Sequence, residues 1–130
     1  MPQISAPLTI NDGQATPVAK TFAPVRIAPE LSIFSEKSSG VSAGFTNLIV
    51  KSSPSSGTRP TDRVDVDLDL PVLSTVNGVS TVAYTLRFKS YFVIPKVATV
   101  AERANLVAYA ANALANATIK APVKDLDPLY

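Results

Sequence analysis

The sequence predicts an α+β fold, in which an N-terminal β-hairpin and a five-stranded antiparallel sheet are followed by C-terminal α-helices. Two observations carry this. Residues Arg63 to Leu70, Arg-Val-Asp-Val-Asp-Leu-Asp-Leu, alternate charged and aliphatic side chains without a slip, the period of two that a half-buried strand requires. From Ala98 to Asn116 the period changes, and Val100, Ala104, Val107, Ala111 and Leu114 recur at helical spacing in an alanine-rich run. At 130 residues the chain has room for one domain, divided here into a hairpin over 1–23, a sheet over 31–95 and helices over 98–130.

In chain order, Pro7 to Ile10 reads as a strand entering a tight turn at Asn11-Asp12-Gly13, since these residues tolerate positive φ angles. Ala15 to Phe22 is the expected return strand, placed at a sheet edge because Pro17 cannot donate a ladder hydrogen bond. Pro24 and Pro29 bracket an extended link, and Leu31 to Phe34 is a short strand. Phe45 to Ser52 is the next strand. It puts Thr46, Leu48 and Val50 on one face and Phe45, Asn47, Ile49 and Lys51 on the other. The loop Ser53 to Pro60 then leads to the alternating strand, in which Val64, Val66, Leu68 and Leu70 face a core while Arg63, Asp65, Asp67 and Asp69 face away. Pro71 is expected to stop it.

A flexible segment is expected over Val72 to Val79, containing Asn77-Gly78. The strand Thr81 to Ile94 follows. Val82, Tyr84, Leu86, Phe88, Phe92 and Ile94 fall on one side, and Thr85, Arg87, Lys89 and Tyr91 on the other. Thr99 reads as the helix N-cap, with Glu102 three residues later completing a capping box. Pro122 to Leu126 is the last short helix.

Composition narrows the function classes. The 46% hydrophobic content argues for a folded protein, and a net charge of +2 is too small to mark a nucleic-acid binder by itself. Any affinity for polyanions must come from placement. Without cysteine or histidine the chain lacks a thiolate nucleophile, the usual near-neutral base and the commonest transition-metal ligands. No cofactor is expected. The first residues, Met-Pro-Gln-Ile-Ser-Ala-Pro, carry neither the basic start nor the apolar run of a secretory signal, and no run reaches the roughly 20 apolar residues of a membrane span, so no membrane partner is expected.

The predicted sheet is roughly 24 Å wide, and one helix covers only about 10 Å of it. Apolar surface would stay in water at about 25 cal/mol per Å². A twofold dimer in which each helix crosses the partner's sheet resolves this, and the small side chains of Ala104, Ala108 and Ala111 allow close approach between Val100, Val107 and Leu114 and the partner. The alternative is that the N-terminal hairpin folds over the exposed face.

Three local stretches resemble the coat proteins of the small single-stranded RNA bacteriophages, the levivirus group. Leu68-Asp69-Leu70-Pro71 with its following loop is similar to a family strand and the loop through which subunits meet. Ser90-Tyr91-Phe92-Val93-Ile94-Pro95-Lys96-Val97-Ala98-Thr99 resembles the last strand and its approach to the helix. Glu102-Arg103-Ala104 through Asp125-Leu126-Asp127-Pro128-Leu129-Tyr130 resembles one branch of the family in its spacing to the final tyrosine. The resemblance covers residues 62–130 well, and Leu8-Thr9-Ile10-Asn11-Asp12-Gly13 looks like the family hairpin. It implies an interlocked homodimer that assembles in the bacterial cytoplasm into an icosahedral shell. The polar sheet face would line the interior of the virion against the single-stranded RNA genome. It also implies inter-subunit roles for Val72, Asn77 and Gly78, and an RNA operator hairpin at the replicase start as a second partner.

On that reading Asn47, Lys51, Arg63, Thr85, Arg87, Lys89 and Tyr91 form the RNA face, since Arg and Lys neutralise phosphates and Tyr stacks on unpaired bases. Asn47, Ile49, Asp65, Asp67, Arg87 and Lys89 match the family's operator positions. The aspartates stand where a small polar and a basic residue are usual, and carboxylates repel phosphate. A plainer role for Asp65, Asp67 and Asp69 is cross-strand pairing with Arg87 and Lys89. Their spacing of roughly 7 Å along one strand is too open for a compact metal site without other ligands. No nucleophile, phosphate loop or activated water accompanies them, so no enzyme is expected. Two other classes fit the same pattern: a β-rich surface or adhesion module, and an RNA-binding repressor that never builds a shell.

Overall fold

In the computed structural model, residues 6–129 are described, and Met1 to Ser5 and the final Tyr130 of the resemblance lie outside them. The chain divides into two compact units, Met1–Val93 and Ile94–Tyr130. The first is a six-stranded sheet in sequential order, β1 (Leu8–Asn11), β2 (Ala19–Ile27), β3 (Leu31–Glu36), β4 (Thr46–Ser53), β5 (Thr61–Val76) and β6 (Val79–Pro95). The sheet has six strands where five were expected, and the N-terminal hairpin, placed at a sheet edge by its proline, is continuous with the sheet through β2.

The hairpin also departs from the expected turn. β1 pairs with β2 from Leu8↔Phe22 to Asn11↔Ala19, leaving 12–18 as the connection with Pro17 inside it rather than in a strand. The Asp12 carboxylate organises that loop by accepting from the backbone N–H groups of Val18 (3.0 Å) and Gln14 (3.3 Å). β2 runs through Pro24, where an extended link was expected. β1 ends its pairing at Phe22, so the missing N–H of Pro24 faces no partner strand on that side. The same reason explains why Pro71 does not stop β5, since the last β4 pair is Asn47↔Asp69 and the ladder on that flank has already ended. Val72 therefore lies within β5, and the segment expected to be flexible is a hairpin whose turn is Asn77-Gly78 alone. Their φ angles of 53° and 78° suit a two-residue turn that matches strand twist. Thr75 and Ser80 hydroxyls bond across it at 3.0 Å.

The core of this unit is small. Among the described residues Phe22 and Phe34 are the buried apolar side chains, and Ser35 is buried on the opposite face of the sheet. Ile10, Asp12, Lys20 and Phe22 of the hairpin line one groove with Leu68 and Leu70, so the hairpin does shelter one end of the apolar face. It leaves β6 uncovered: Tyr84 is 59% and Leu86 53% exposed, and Val82 and Phe88 are exposed as well. Ser42–Gly44 forms a single 3₁₀ turn whose buried Gly44 abuts Leu73 of β5.

The second unit holds α1 (Val100–Ala115) and α2 (Ala117–Lys124). The capping box is present as expected: the Thr99 hydroxyl accepts from the Glu102 N–H, and the Glu102 carboxylate accepts from the Thr99 N–H at 2.9 Å. The last helix begins earlier than the expected Pro122–Leu126. Asn116 closes α1 and its side chain accepts from the Thr118 N–H at 2.9 Å, so it starts a new helix that carries Pro122 inside it. No residue of α1 or α2 is buried, and Val100, Val107, Tyr109 and Leu114 are exposed.

Candidate nucleic-acid interface

Antiparallel pairing puts directly opposed residues on one face, so the register assembles the polar surface. β3, β4 and β5 align Ser35, Asn47 and Asp69 in one row, Ile33, Ile49 and Asp67 in the next, and Leu31, Lys51 and Asp65 in a third. The alternate residues Phe34, Leu48 and Leu68 make the opposite, apolar face. The face assignments expected for β4 and β5 hold. Ser35 donates its hydroxyl to the Asn47 side-chain carbonyl, which ties the first row together.

β6 adds its cations to the same face. Lys89 Nζ lies 3.5 Å from Asp67 and 3.7 Å from Asp69, and Arg87 Nε lies 3.8 Å from Asp69. These are the cross-strand pairs that the aspartates suggested. Asp69 Oδ1 is shut off from solvent and accepts no hydrogen bond, so the two cations compensate its charge from ion-pair distance only. Asp65 differs, because its partner is on its own strand: Arg63 Nε donates to it at 2.7 Å. That hydrogen bond raises the Arg63 pKa further above its ordinary value, and the guanidinium also lies over the Tyr91 ring, 4.2 Å from its centre. Arg63, Asp65 and Tyr91 are thus one stacked unit. Thr85 is half-buried on β6, and Lys51 is exposed.

Sequence reasoning missed Arg26. The β2–β3 register passes from Pro24↔Phe34 to Arg26↔Ile33, so Arg26 joins the row of Ile33, Ile49 and Asp67. Its signal was the break in alternation across Ala23-Pro24-Val25-Arg26-Ile27, in a stretch that looks like a link because prolines frame it. The rows so defined hold five cations (Arg26, Lys51, Arg63, Arg87, Lys89) against three carboxylates, a face that is polar, weakly positive and largely self-paired. Among the described residues no cluster of carboxylates is arranged to hold a metal ion, and no helix is long and apolar enough to cross a membrane.

The comparisons agree with this architecture. The levivirus coat protein family profile matches residues 2–130. Among solved structures, the chain is similar to the virus-like particle of Beihai levi-like virus 21, with 31% identity over 99% of this chain and 99% of that one at a TM-score of 0.84. It is similar to the virus-like particle of bacteriophage ESE058, with 28% identity over 99% of this chain and 100% of that one at 0.84. Bacteriophage GA capsid protein, at 17% identity over 96% and 97% of the two chains, shares the fold with a TM-score of 0.76. The curated protein sequences give no match. A family profile spanning nearly the whole chain, on a sheet followed by two helices, settles the assignment: the chain belongs to the levivirus coat protein family, whose members are structural, and it is a capsid-forming protein of the virion.

Proposed function

We propose that the working unit of this coat protein is a homodimer in which each helix pair crosses the partner's sheet, and that such dimers close into an icosahedral shell whose inner wall is the polar sheet face. The observation that carries this is exposure. The β6 side chains Tyr84 and Leu86 and the α1 side chains Val107 and Leu114 are each more than half exposed in the single chain, and a second copy is the simplest way to remove that much apolar surface from water. The apolar rows of β6 and the small residues Ala104, Ala108 and Ala111 offer complementary faces for that union.

The polar wall then meets the single-stranded RNA genome, with Asn47, Lys51, Arg63, Thr85, Arg87, Lys89 and Tyr91 on the RNA side and Asn77-Gly78 at the contacts between subunits. The ion pairs of Asp67 and Asp69 weaken the case for a tight operator complex, because Lys89 and Arg87 must leave a carboxylate to reach a phosphate. The face suits general RNA packing better than translational repression.

Electron microscopy of the purified protein, with its nucleic acid extracted after nuclease treatment, tests the proposal. Uniform closed particles holding protected RNA are expected. A discrete dimer that never grows with concentration would favour the repressor, and a monomer stable at micromolar dilution would remove the dimer.

A further inference from the structure

We propose that the phosphate-holding cations of the polar face are Arg26 and Lys51, and that a β-bulge in β2 is what brings Arg26 there. This rests on the reading that the polar face meets RNA.

The bulge is explicit in the register. Ala23 opposes Ser35 and Pro24 opposes Phe34, but the next pairs are Arg26↔Ile33 and Ile27↔Ser32. Val25 is skipped. In an unbroken ladder Val25 would oppose Ile33, and Arg26 would fall on the apolar side with Ser32. The extra residue re-aims Arg26, a known use of bulges. It then stands in the row of Ile33, Ile49 and Asp67, on the face that carries Lys51, Arg63, Arg87 and Lys89.

Pairing separates these two cations from the rest. Arg63 is bound to Asp65, Arg87 lies beside Asp69, and Lys89 lies between Asp67 and Asp69. Among the described residues no carboxylate is within ion-pair reach of Arg26 or Lys51, and both are exposed. Lys51 opposes Asp65 in the register, but Arg63 holds that carboxylate. A phosphate approaching Arg87 or Lys89 must displace a carboxylate and face it as an uncompensated like charge. One approaching Arg26 or Lys51 displaces only counterions, and counterion release is the main electrostatic gain in binding nucleic acid. Arg26 and Lys51 lie two strands apart and one pair of residues along, about 12 Å between backbones, so they reach different phosphates of one strand.

The test is the salt dependence of binding of a labelled oligouridylate to the unassembled protein, followed by fluorescence anisotropy. Each single-strand phosphate contact contributes about 0.7 to the slope of log affinity against log salt. Arg26→Gln and Lys51→Gln are each expected to lower the slope by about 0.7. The loss of affinity then differs by about 2.6-fold between about 50 and 200 mM salt. Arg26→Lys restores the slope, and Arg87→Gln, whose guanidinium already lies beside Asp69, lowers it by less than either of those two variants. An Arg26→Gln protein that binds with the wild-type slope, or an Arg87→Gln protein that loses as much slope as Arg26→Gln, overturns the assignment while leaving the RNA-facing wall intact. Wild-type protein that binds no oligouridylate at low salt overturns both.

Discussion

Single residues in this chain act through what their immediate neighbours allow. A Cβ at Gly44 would stand 2.5 Å from Leu73 Cδ1 and 2.8 Å from Cγ, so the absence of a side chain is what lets the 3₁₀ turn close on β5. Gly44→Ala should cost about 1–3 kcal/mol, the usual range for overpacking, seen as a lower urea midpoint at unchanged slope, with Leu73→Ala in the same chain recovering part of it. Asp12 works through hydrogen bonds. Accepting from the Val18 and Gln14 amides holds its carboxyl below the ordinary value of 3.8. A carboxyl depressed on folding contributes stability above its unfolded value, and that contribution is lost as pH falls through the folded one. The protection of the Val18 amide against exchange should therefore fall as pH drops through the lowered folded value of Asp12, and Asp12→Ala should show the lost protection at neutral pH as well. Identical exchange in the two proteins at neutral pH would show that the carboxylate does not hold the loop.

Strands and helices differ in how much of them the sequence made legible. Strict alternation placed Asn47, Lys51, Asp65 and Asp67 on one face of β4 and β5, and the Thr99–Glu102 capping box marked the start of α1, because both signals are local. The elements misjudged were those that contain or adjoin a proline: Pro17 lies in the β1–β2 connection and not in the return strand, and three others were taken as boundaries. Pro24, Pro71 and Pro122 all lie inside elements, since a neighbouring strand has ended beside the first two and the Asn116 cap fixes the start of α2 ahead of the third. The site was legible in the same measure. Which residues share the face follows from a period of two, but which cations are free depends on register between strands, and a bulge changes it without any composition signal. β5 supplies a direct test at this scale. Replacing Asp67 and Asp69 together by Asn should release Lys89 and Arg87, strengthen binding of single-stranded RNA and steepen its salt dependence by up to about 1.4 in slope. Unchanged binding isotherms would mean that the ion pairs do not compete with phosphate.

At the scale of the whole molecule, two buried phenylalanines are a slight core for a chain with 46% hydrophobic residues. Stability on this account comes with association, and should depend on protein concentration. Ala108→Trp or Ala111→Trp, placed on the exposed face of α1, should block assembly by preventing the dimer, read as a loss of the dimer boundary in sedimentation. Normal particles from both variants would remove the crossed-helix arrangement. The internal pairing of the aspartates has one further outcome. Walls lined only with arginine and lysine repel one another when crowded on the inside of a sphere, and need a polyanion to close. Here three of five positive groups already have negative company within the same chain, so the barrier to sealing an unfilled container is low, and vacant shells should form from purified subunits in moderate salt.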